Sequence, residues 1–283
     1  MTMRTQPTAR QIRLGTELRR VREAAGVSAR EVGGVLGASS SHMSQIEAGS
    51  SGISEERVRR LAAHCACADG ELIEALVEMA TDRTRGWWTE YANVLPPGFL
   101  DLAELEHHAR SLREVAITYV PGILQTEEYA RAVYAYAVPP LPASELDPRV
   151  EHRMQRRVVF QGDASIQYEA VIHESALRIR VGDRRIAREQ LAQLLDLSAA
   201  PDVTLRIIPF DVDGFAGAEC AMVFAGGPIP RLDTVLRDAP HGTAFLDAES
   251  QLARFRTLFR KVEGVSLGPR ESRDFIHRTA KEL

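Results

Sequence analysis

The sequence is poor in cysteine and in long apolar segments, and both absences exclude classes of protein. Its 283 residues include only three cysteines, Cys65, Cys67 and Cys220, which supply no disulfide framework of the kind found in small secreted domains. No apolar run approaches the roughly 18 residues of a membrane-spanning helix. The N-terminus also lacks the apolar core of a secretory signal peptide. We therefore expect a cytoplasmic protein without a membrane partner.

Sequence motifs of common enzyme and metal sites are lacking as well. The chain contains no G-x-S-x-G, H-E-x-x-H, phosphate-binding loop or G-x-G-x-x-G. Cys65 and Cys67 have no distant ligand pair at zinc-site spacing, so we interpret them as structural. His107 and His108 are adjacent on a predicted helix and point in different directions, which favours a solvated helix face over a metal site. We expect no catalytic residue, no metal and no cofactor.

The charge of the chain is divided unevenly along its length. The net charge is −4 at pH 7, which is unusual for a protein that binds nucleic acid. The first 64 residues, however, contain ten arginines and six glutamates, a net charge of +4, so the remaining residues carry −8. This division predicts a small basic DNA-binding domain joined to a larger acidic domain.

One stretch near the N-terminus has the pattern of a helix-turn-helix. Ser28 caps one predicted helix, Gly37 ends that helix, and Ser39 caps a second helix. Met43 and Ile46 lie three residues apart and form the buried face of the second helix. A short helix, a tight turn and a second helix with a polar outer face are typical of a helix-turn-helix, whose second helix enters the major groove of DNA.

The outer face of the second helix and the helix before this motif supply the residues that we expect to contact DNA. Hydroxyl and amide groups on the second helix are suited to hydrogen bonds with base edges. Arginines on the first helix are suited to forked contacts with phosphate, although a solvated helix face is the alternative interpretation. The predicted DNA-contacting residues are Ser28, Ser39, Ser40, Ser41, His42, Ser44, Gln45, Arg19 and Arg20.

Three further helices complete a predicted all-α domain of five helices over residues 1–81. Leu14, Leu18 and Val21 recur at helical spacing and predict an amphipathic helix before the helix-turn-helix. Two more helices are predicted to begin near Ser54 and Asp69. The last helix has more apolar residues than one surface stripe requires. We therefore expect it to pack on the second domain or on a second copy of the first.

Residues 82–283 have the pattern of an α+β domain. Alternating apolar residues predict a strand over 166–172, a β-branched run predicts another over 203–208, and short strands separated by glycine and proline follow. Four prolines between 139 and 148 predict a loop before a helix over 150–160. The strands are not separated by helices at regular intervals, which favours a mainly antiparallel sheet.

Both tryptophans, Trp87 and Trp88, follow a short polar junction over residues 82–86. Neighbouring residues face different directions, so we expect one ring in the core and the other at a domain contact or a pocket. Our hypothesis is that one of them packs against the fifth helix, near Leu76 or Met79, and sets the spacing of two DNA-binding helices.

Gln125 follows the turn Pro121-Gly122, and this segment has two interpretations. In the first, the turn simply breaks a strand before a helix that Thr126 caps. In the second, the backbone of the turn and Gln125 line a pocket or a partner groove beside a tryptophan. Turn chemistry alone explains these residues, which favours the first interpretation.

The N-terminal motif resembles a known family. The run LGAS at 36–39, followed by MSQIEAG at 43–49, resembles the recognition segment of the Xre family of phage-repressor DNA-binding domains. Residues 18–28 are similar to that family's first helix and connection. The resemblance implies five helices that bind double-stranded DNA. Ala29 and Ser40 stand where the family often has a phosphate-contacting glutamine and an arginine, so we expect modest affinity.

The rest of the chain has a resemblance of its own, to the C-terminal domain of WhiJ-like regulators. The motifs that carry it are GWW at 86–88, YVPGILQTEEYARA at 119–132, RMQRR at 153–157, ESALR at 174–178 and IIP at 207–209. This resemblance implies an Xre-type DNA-binding domain joined to an effector domain, often paired with a small companion protein in an antitoxin-like arrangement.

These patterns and resemblances predict a sequence-specific transcriptional regulator that binds double-stranded DNA. We expect a homodimer on an inverted-repeat operator, because one helix-turn-helix contacts only about half a site. The C-terminal domain is expected to respond to a protein partner or a small-molecule effector. The alternative is an antitoxin-like module whose main activity is to bind a small companion protein, which Ala29 and Ser40 favour.

Overall fold

The computed structural model describes residues 6–161, 166–215, 221–239 and 242–283. Cys220, at the start of one predicted strand, lies outside these ranges. Within them, no helix combines the length and the apolar character that crossing a membrane requires.

Five helices form the N-terminal helical region, residues 6–81, as predicted. They are α1 (Ala9–Ala24), α2 (Ala29–Val35), α3 (Ser40–Glu47), α4 (Glu55–His64) and α5 (Gly70–Thr81). Each of the last four begins after a side chain that accepts a hydrogen bond from the backbone N–H three residues further on. These capping residues are Ser28, Ser39, Ser54 and Asp69. Gly37 ends α2 in the left-handed conformation, with φ of +63°.

The core of the helical region extends into the second half of the chain. Leu232, far along the sequence, is buried in the same apolar cluster as Leu76, Val77 and Ala80 of α5, and Ile229 packs against it. We predicted two possible partners for the surplus apolar surface of α5. The structure provides the second region of the same chain.

The α+β region, residues 82–283, is built on one sheet of six strands. The strands are β1 (Ser111–Ala116), β2 (Gln167–His173), β3 (Val203–Ile208), β4 (Met222–Gly226), β5 (Thr234–Ala239) and β6 (Gly242–Leu246), in the spatial order β3-β2-β1-β4-β5-β6. Three of the five pairings are antiparallel, which confirms the mainly antiparallel prediction. The pairings of β1 with β2 and of β2 with β3 are parallel.

Helices surround the sheet and connect its parallel strands. They are α6 (Pro97–His108), α7 (Glu127–Ala135), α8 (Ala143–Gln155), α9 (Glu174–Arg178), α10 (Arg184–Leu197), α11 (Glu249–Gly264) and α12 (Pro269–Glu282). The crossovers α7–α8 and α9–α10 permit the parallel pairings that the sequence did not predict. The loop that we predicted over residues 139–148 ends earlier than expected, because α8 begins at Ala143 and contains Pro148.

The two faces of the sheet are covered differently. On one face, Phe255 and Phe259 of α11 pack against strand residues such as Val235. On the other face, residues of α10 and α12, such as Leu194 and Ile276, pack over the parallel strands. The same face of β4, β5 and β6 lies opposite α1 and α6 and borders a cavity.

Candidate DNA-binding site

Helix α3 presents one buried and one exposed face, as predicted. Met43 and Ile46 are 0% and 2% exposed. The opposite face carries four polar residues that are all exposed to solvent, namely Ser40, Ser41, Ser44 and Gln45. Serine hydroxyls and a glutamine amide at these positions are chemically suited to hydrogen bonds with base edges. The contact with bases itself stays a prediction.

Some of the predicted contact residues have intramolecular hydrogen bonds. The hydroxyls of Ser28 and Ser39 accept bonds from Glu31 N–H and His42 N–H, at 3.2 and 3.1 Å, and thereby cap α2 and α3. The half-buried His42 places its Nε2 3.1 Å from the hydroxyl of Ser51. These three side chains therefore shape the backbone around α3.

Two glycines allow α1 and the end of α3 to approach closely. A Cβ atom on Gly15 would lie 2.5 Å from the carbonyl oxygen of Glu47 and 2.6 Å from that of Ile46. Gly49, just after α3, has φ of +74°, and a Cβ there would lie 2.7 Å from the backbone of Gln11. The orientation of α3 is therefore set by direct backbone contact with α1.

A buried ion pair reinforces this contact, and sequence reasoning missed it. Arg22 Nε lies 2.6 Å from Glu47 Oε1 and Nη2 lies 3.0 Å from Oε2, while Nη1 donates to the carbonyl of Val27 at 2.8 Å. Hydrogen bonding to Glu47 raises the pKa of Arg22. The available signal was the spacing, since Arg22 lies four residues after the core residue Leu18.

The arginines around the motif occupy different environments. Arg19 is exposed and pairs with Glu23 at 2.6 Å. Arg20 is turned towards the α+β region, where its Nη2 lies 2.8 Å from Asp247 Oδ1. Arg30, in the first turn of α2, is exposed and has no ion pair with any residue that the structure describes. Arg30 is therefore an exposed cation within the helix-turn-helix, and the sequence analysis did not single it out.

A second ion cluster joins the helical region to the α+β region. Glu17, fully buried at 0% exposure, contacts Arg20, lies 3.0 Å from Arg231 and lies 3.3 Å from Arg13. Arg13 also lies 3.1 Å from Asp247, and burial lowers the pKa of Arg13 to about 10. We name these five residues the Glu17 cluster. It includes Arg20, one of the two arginines that the sequence analysis expected to contact DNA.

The tryptophans pack on α6, so the hypothesis that one of them packs on α5 was wrong. The residues Trp87–Tyr91 form a 3₁₀ helix that directly precedes α6 and folds back on it. Trp88 is buried with Leu100 and Ala103 of α6, and its ring centroid lies 4.9 Å from that of His107. Trp87 is half-buried, and its ring centroid lies 4.8 Å from that of His152 on α8.

Gln125 follows a turn that leads into a capped helix, and it also lines a cavity whose described lining residues include no tryptophan. Thr126 caps α7, as turn chemistry predicts. Gln125 is 2% exposed, donates to the carbonyl of Val120 at 2.7 Å and accepts from Arg153 Nη1 at 2.7 Å. It also lines a cavity of about 560 Å³ that includes His152.

The burial of His152 is expected to make the stability of the protein sensitive to acid. Burial, with the nearby charges of Arg156 and Arg153, lowers the pKa of His152 to about 3, so the folded protein holds this ring neutral. In the unfolded chain the ring binds a proton below its ordinary pKa, so stability is lost as the pH falls through 6.5 towards 3. We expect His152→Phe to reduce the loss of unfolding free energy between about pH 7.5 and about pH 5 by about 2 kcal/mol.

Urea unfolding at the two pH values measures this difference. His277, exposed on α12, provides the matched control, His277→Phe, which is expected to keep the acid sensitivity of the wild type. Equal acid sensitivity in His152→Phe and the wild type would contradict the assignment.

Similar burial lowers the pKa of His108 to about 4. Among the described residues, no three or more His, Cys, Asp or Glu side chains form a group that could hold a metal ion.

Comparison with known protein families identifies the domain at the N-terminal end of the chain. A helix-turn-helix domain model matches residues 13–76, which contain all of α2, α3 and α4. The chain therefore carries a helix-turn-helix domain, a class that indicates DNA binding.

A second family model, described as "Domain of unknown function (DUF5753)", matches residues 99–278. This match covers more than half of the 283 residues, so the chain belongs to the DUF5753 family. No curated protein and no solved structure matches the chain.

Proposed function

We propose that the protein is a sequence-specific transcriptional regulator that binds double-stranded DNA through α3. The observation that carries the proposal is the exposed polar face of α3, held rigidly by α1 through Gly15 and Arg22. A preorganised helix with hydroxyl and amide groups on its outer face is suited to the major groove. We further propose that it acts by binding and not by catalysis.

The proposed active species is a homodimer of the Xre and WhiJ-like type, controlled through its α+β region. One α3 helix spans about half of an operator, and a dimer places two such helices about one helical turn apart. A protein partner or a small-molecule effector that binds the α+β region would control the dimer by favouring one arrangement over another.

A footprint on the DNA upstream of the protein's own gene tests the proposal. We expect protection of an inverted repeat, with affinity that falls as salt concentration rises. The absence of salt-sensitive protection, with a folded protein at micromolar concentration, would overturn the proposal.

Gln45 is the side chain that we expect to discriminate bases most strongly. Gln45→Ala should weaken binding to the operator by about 1–3 kcal/mol and relax the preference at one base position. Gel shifts with the operator and with random DNA measure this difference. Gln251→Ala, at an exposed position on α11, is the matched control. If Gln45→Ala weakened binding to random DNA as much as binding to the operator, Gln45 would not contact a base.

Arg30 is expected to contribute affinity without sequence preference. Arg30→Ala should weaken binding to all DNA sequences alike and reduce the slope of log affinity against log salt by about one unit. Arg254→Ala, which removes an exposed arginine of α11, should leave that slope unchanged. The same measurement on Arg19→Ala ranks the two candidate phosphate contacts, and an unchanged slope in Arg30→Ala would remove Arg30 from the interface.

A second candidate function is an antitoxin-like module whose main activity is to bind a small companion protein. The observation that favours it is the scarcity of cations beside α3, since Ala29 and Ser40 carry no charge and Arg20 is paired with Asp247. A companion that co-purifies with the protein, together with no footprint at any salt concentration, would support this second function.

A further inference from the structure

A large cavity lies between the first helix and the sheet. It has a volume of about 630 Å³ and lies between α1, α6 and the strands β4, β5 and β6. We name it the α1–sheet cavity. Its size falls within the range of about 300–1,000 Å³ typical of pockets for small molecules.

The walls of the α1–sheet cavity are mainly apolar. Ile12 of α1, Phe99 and Leu105 of α6, Met79 of α5 and Phe245 of β6 all line it. Ile12 is 46% exposed although it is a large apolar residue. Covering this isoleucine with another apolar group removes apolar surface from water, which is favourable.

The charged groups on the same walls have opposite charges or hydrogen-bond donors beside them. Arg10 lies 3.5 Å from Asp82, and Arg13 lies 3.1 Å from Asp247. Asp101 accepts a hydrogen bond from the backbone N–H of Ala9 at 3.2 Å. The carboxylate of Glu104 attracts the opposite charge of Arg10 and favours its protonated form.

The remaining titratable group on these walls, His108, is neutral at pH 7. Its Nε2 lies 3.4 Å from Asp82, and burial, with the charges of Arg10 and His107, lowers its pKa to about 4. Among the residues that the structure describes, each charged group on the cavity wall therefore has a partner within the protein, which leaves no charge for a ligand to pair with. A charged ligand would lose its hydration without gaining a partner, which is costly.

We propose that the α1–sheet cavity binds an uncharged, mainly apolar small molecule, and that this molecule is the effector that controls DNA binding. The second clause rests on the function proposed above. The first clause rests on the geometry of the cavity alone.

The cavity is connected to α3 by a short path. Ile12 and Arg13 border the cavity, and Gly15, one turn further along α1, touches the backbone at the end of α3. A ligand that binds more tightly when α1 is in one position increases the population of that position. Because α3 is in contact with α1, the population of the matching position of α3 increases as well. The backbones of α1 and α3 are so close at Gly15 that one helix can move little without the other.

A pair of fluorescent probes tests the ligand class. N-phenylnaphthylamine is uncharged, and anilinonaphthalenesulfonate is the same ring system with an added sulfonate. We expect the uncharged probe to bind the full-length protein at least about tenfold more tightly than the sulfonate, a difference of about 1.4 kcal/mol. Equal binding, or tighter binding of the sulfonate, would overturn the proposed class.

Two pairs of variants test the location. Gly98 lines this cavity and also the cavity at Gln125, and a Cβ atom placed on it meets no atom of another segment within 4 Å, so Gly98→Phe has room for its ring and Gly98→Ala is the control. Ile12→Glu places a charge on the wall from α1, and Ile12→Leu is its control. We expect both disruptive variants to weaken the uncharged probe by about tenfold or more, and both controls to bind it as the wild type does. Wild-type binding in both disruptive variants would exclude this cavity.

The final measurement separates the two clauses. The uncharged probe at saturation should change the affinity of the wild-type protein for its operator, and the change should disappear in Gly98→Phe but not in Gly98→Ala. Probe binding with unchanged operator affinity would overturn the effector role alone. If no DNA sequence binds while the probe still does, the proposed function fails and the ligand site stands.

Discussion

Replacing the buried carboxylate of Glu17 by an amide is expected to destabilise the protein by about 3 kcal/mol, because the buried Arg13 keeps only Asp247 as its counter-charge and Arg231 loses its carboxylate partner. In Glu17→Gln, the guanidinium groups of Arg13, Arg20 and Arg231 would face one another across an uncharged side chain of the same size. The helical region is then expected to separate from the α+β region before either unfolds. Urea unfolding followed by circular dichroism, with limited proteolysis of the junction 82–86, detects this separation.

The matched control for this prediction is Glu23→Gln. Glu23 lies on the same helix, is exposed, pairs with the exposed Arg19 and lies 3.6 Å from Arg22, which keeps Glu47, so the change should cost far less stability than Glu17→Gln. A Glu17→Gln protein that unfolds at the same urea concentration as the wild type would show that the Glu17 cluster does not hold the two regions together.

The second large effect is expected at the ion pair between Arg22 and Glu47. Arg22→Met should destabilise the helical region by about 3 kcal/mol and abolish operator binding at ordinary concentrations, because Glu47 loses both of its hydrogen bonds to the guanidinium and Val27 loses its donor. The unfolding free energy and the operator affinity are measured on the same preparation.

A double variant separates the loss of a charge from the loss of packing. In Arg22→Met with Glu47→Met, no charge is left buried without a partner, so a substantial part of the stability should return. If the double variant were as unstable as the sum of the two single variants, packing of the side chains and not charge pairing would fix α3 on α1.

The helix-turn-helix could be predicted from the sequence because its signals are local. Capping residues such as Ser28, Ser39 and Ser54 act on backbone groups three residues away, and Gly37 needs only its own backbone freedom to end α2. The buried positions Met43 and Ile46 follow from helical spacing within one short segment. Each of these signals lies within a few residues of the feature that it specifies.

The Glu17 cluster and the α1–sheet cavity could not be predicted because they join residues far apart in the sequence. Arg231 and Asp247 lie 214 and 227 residues from their partners Glu17 and Arg20. An arginine that pairs with a distant aspartate has the same sequence pattern as one available to phosphate, so the pairing of Arg20 with Asp247 could not be read from the sequence. The parallel pairing of β1 with β2 depends in the same way on a long crossover.

The position of Leu232 in the core of the helical region has a consequence during synthesis on the ribosome. Helix α5 is complete at Thr81, and Leu232 is added 151 residues later. At roughly 5–20 residues per second, the nascent helical region waits about 8–30 s for this side chain. During that interval the part of the apolar cluster that Leu232 completes stays uncovered, so we expect the newly made helices to bind chaperones until the segment before β5 emerges.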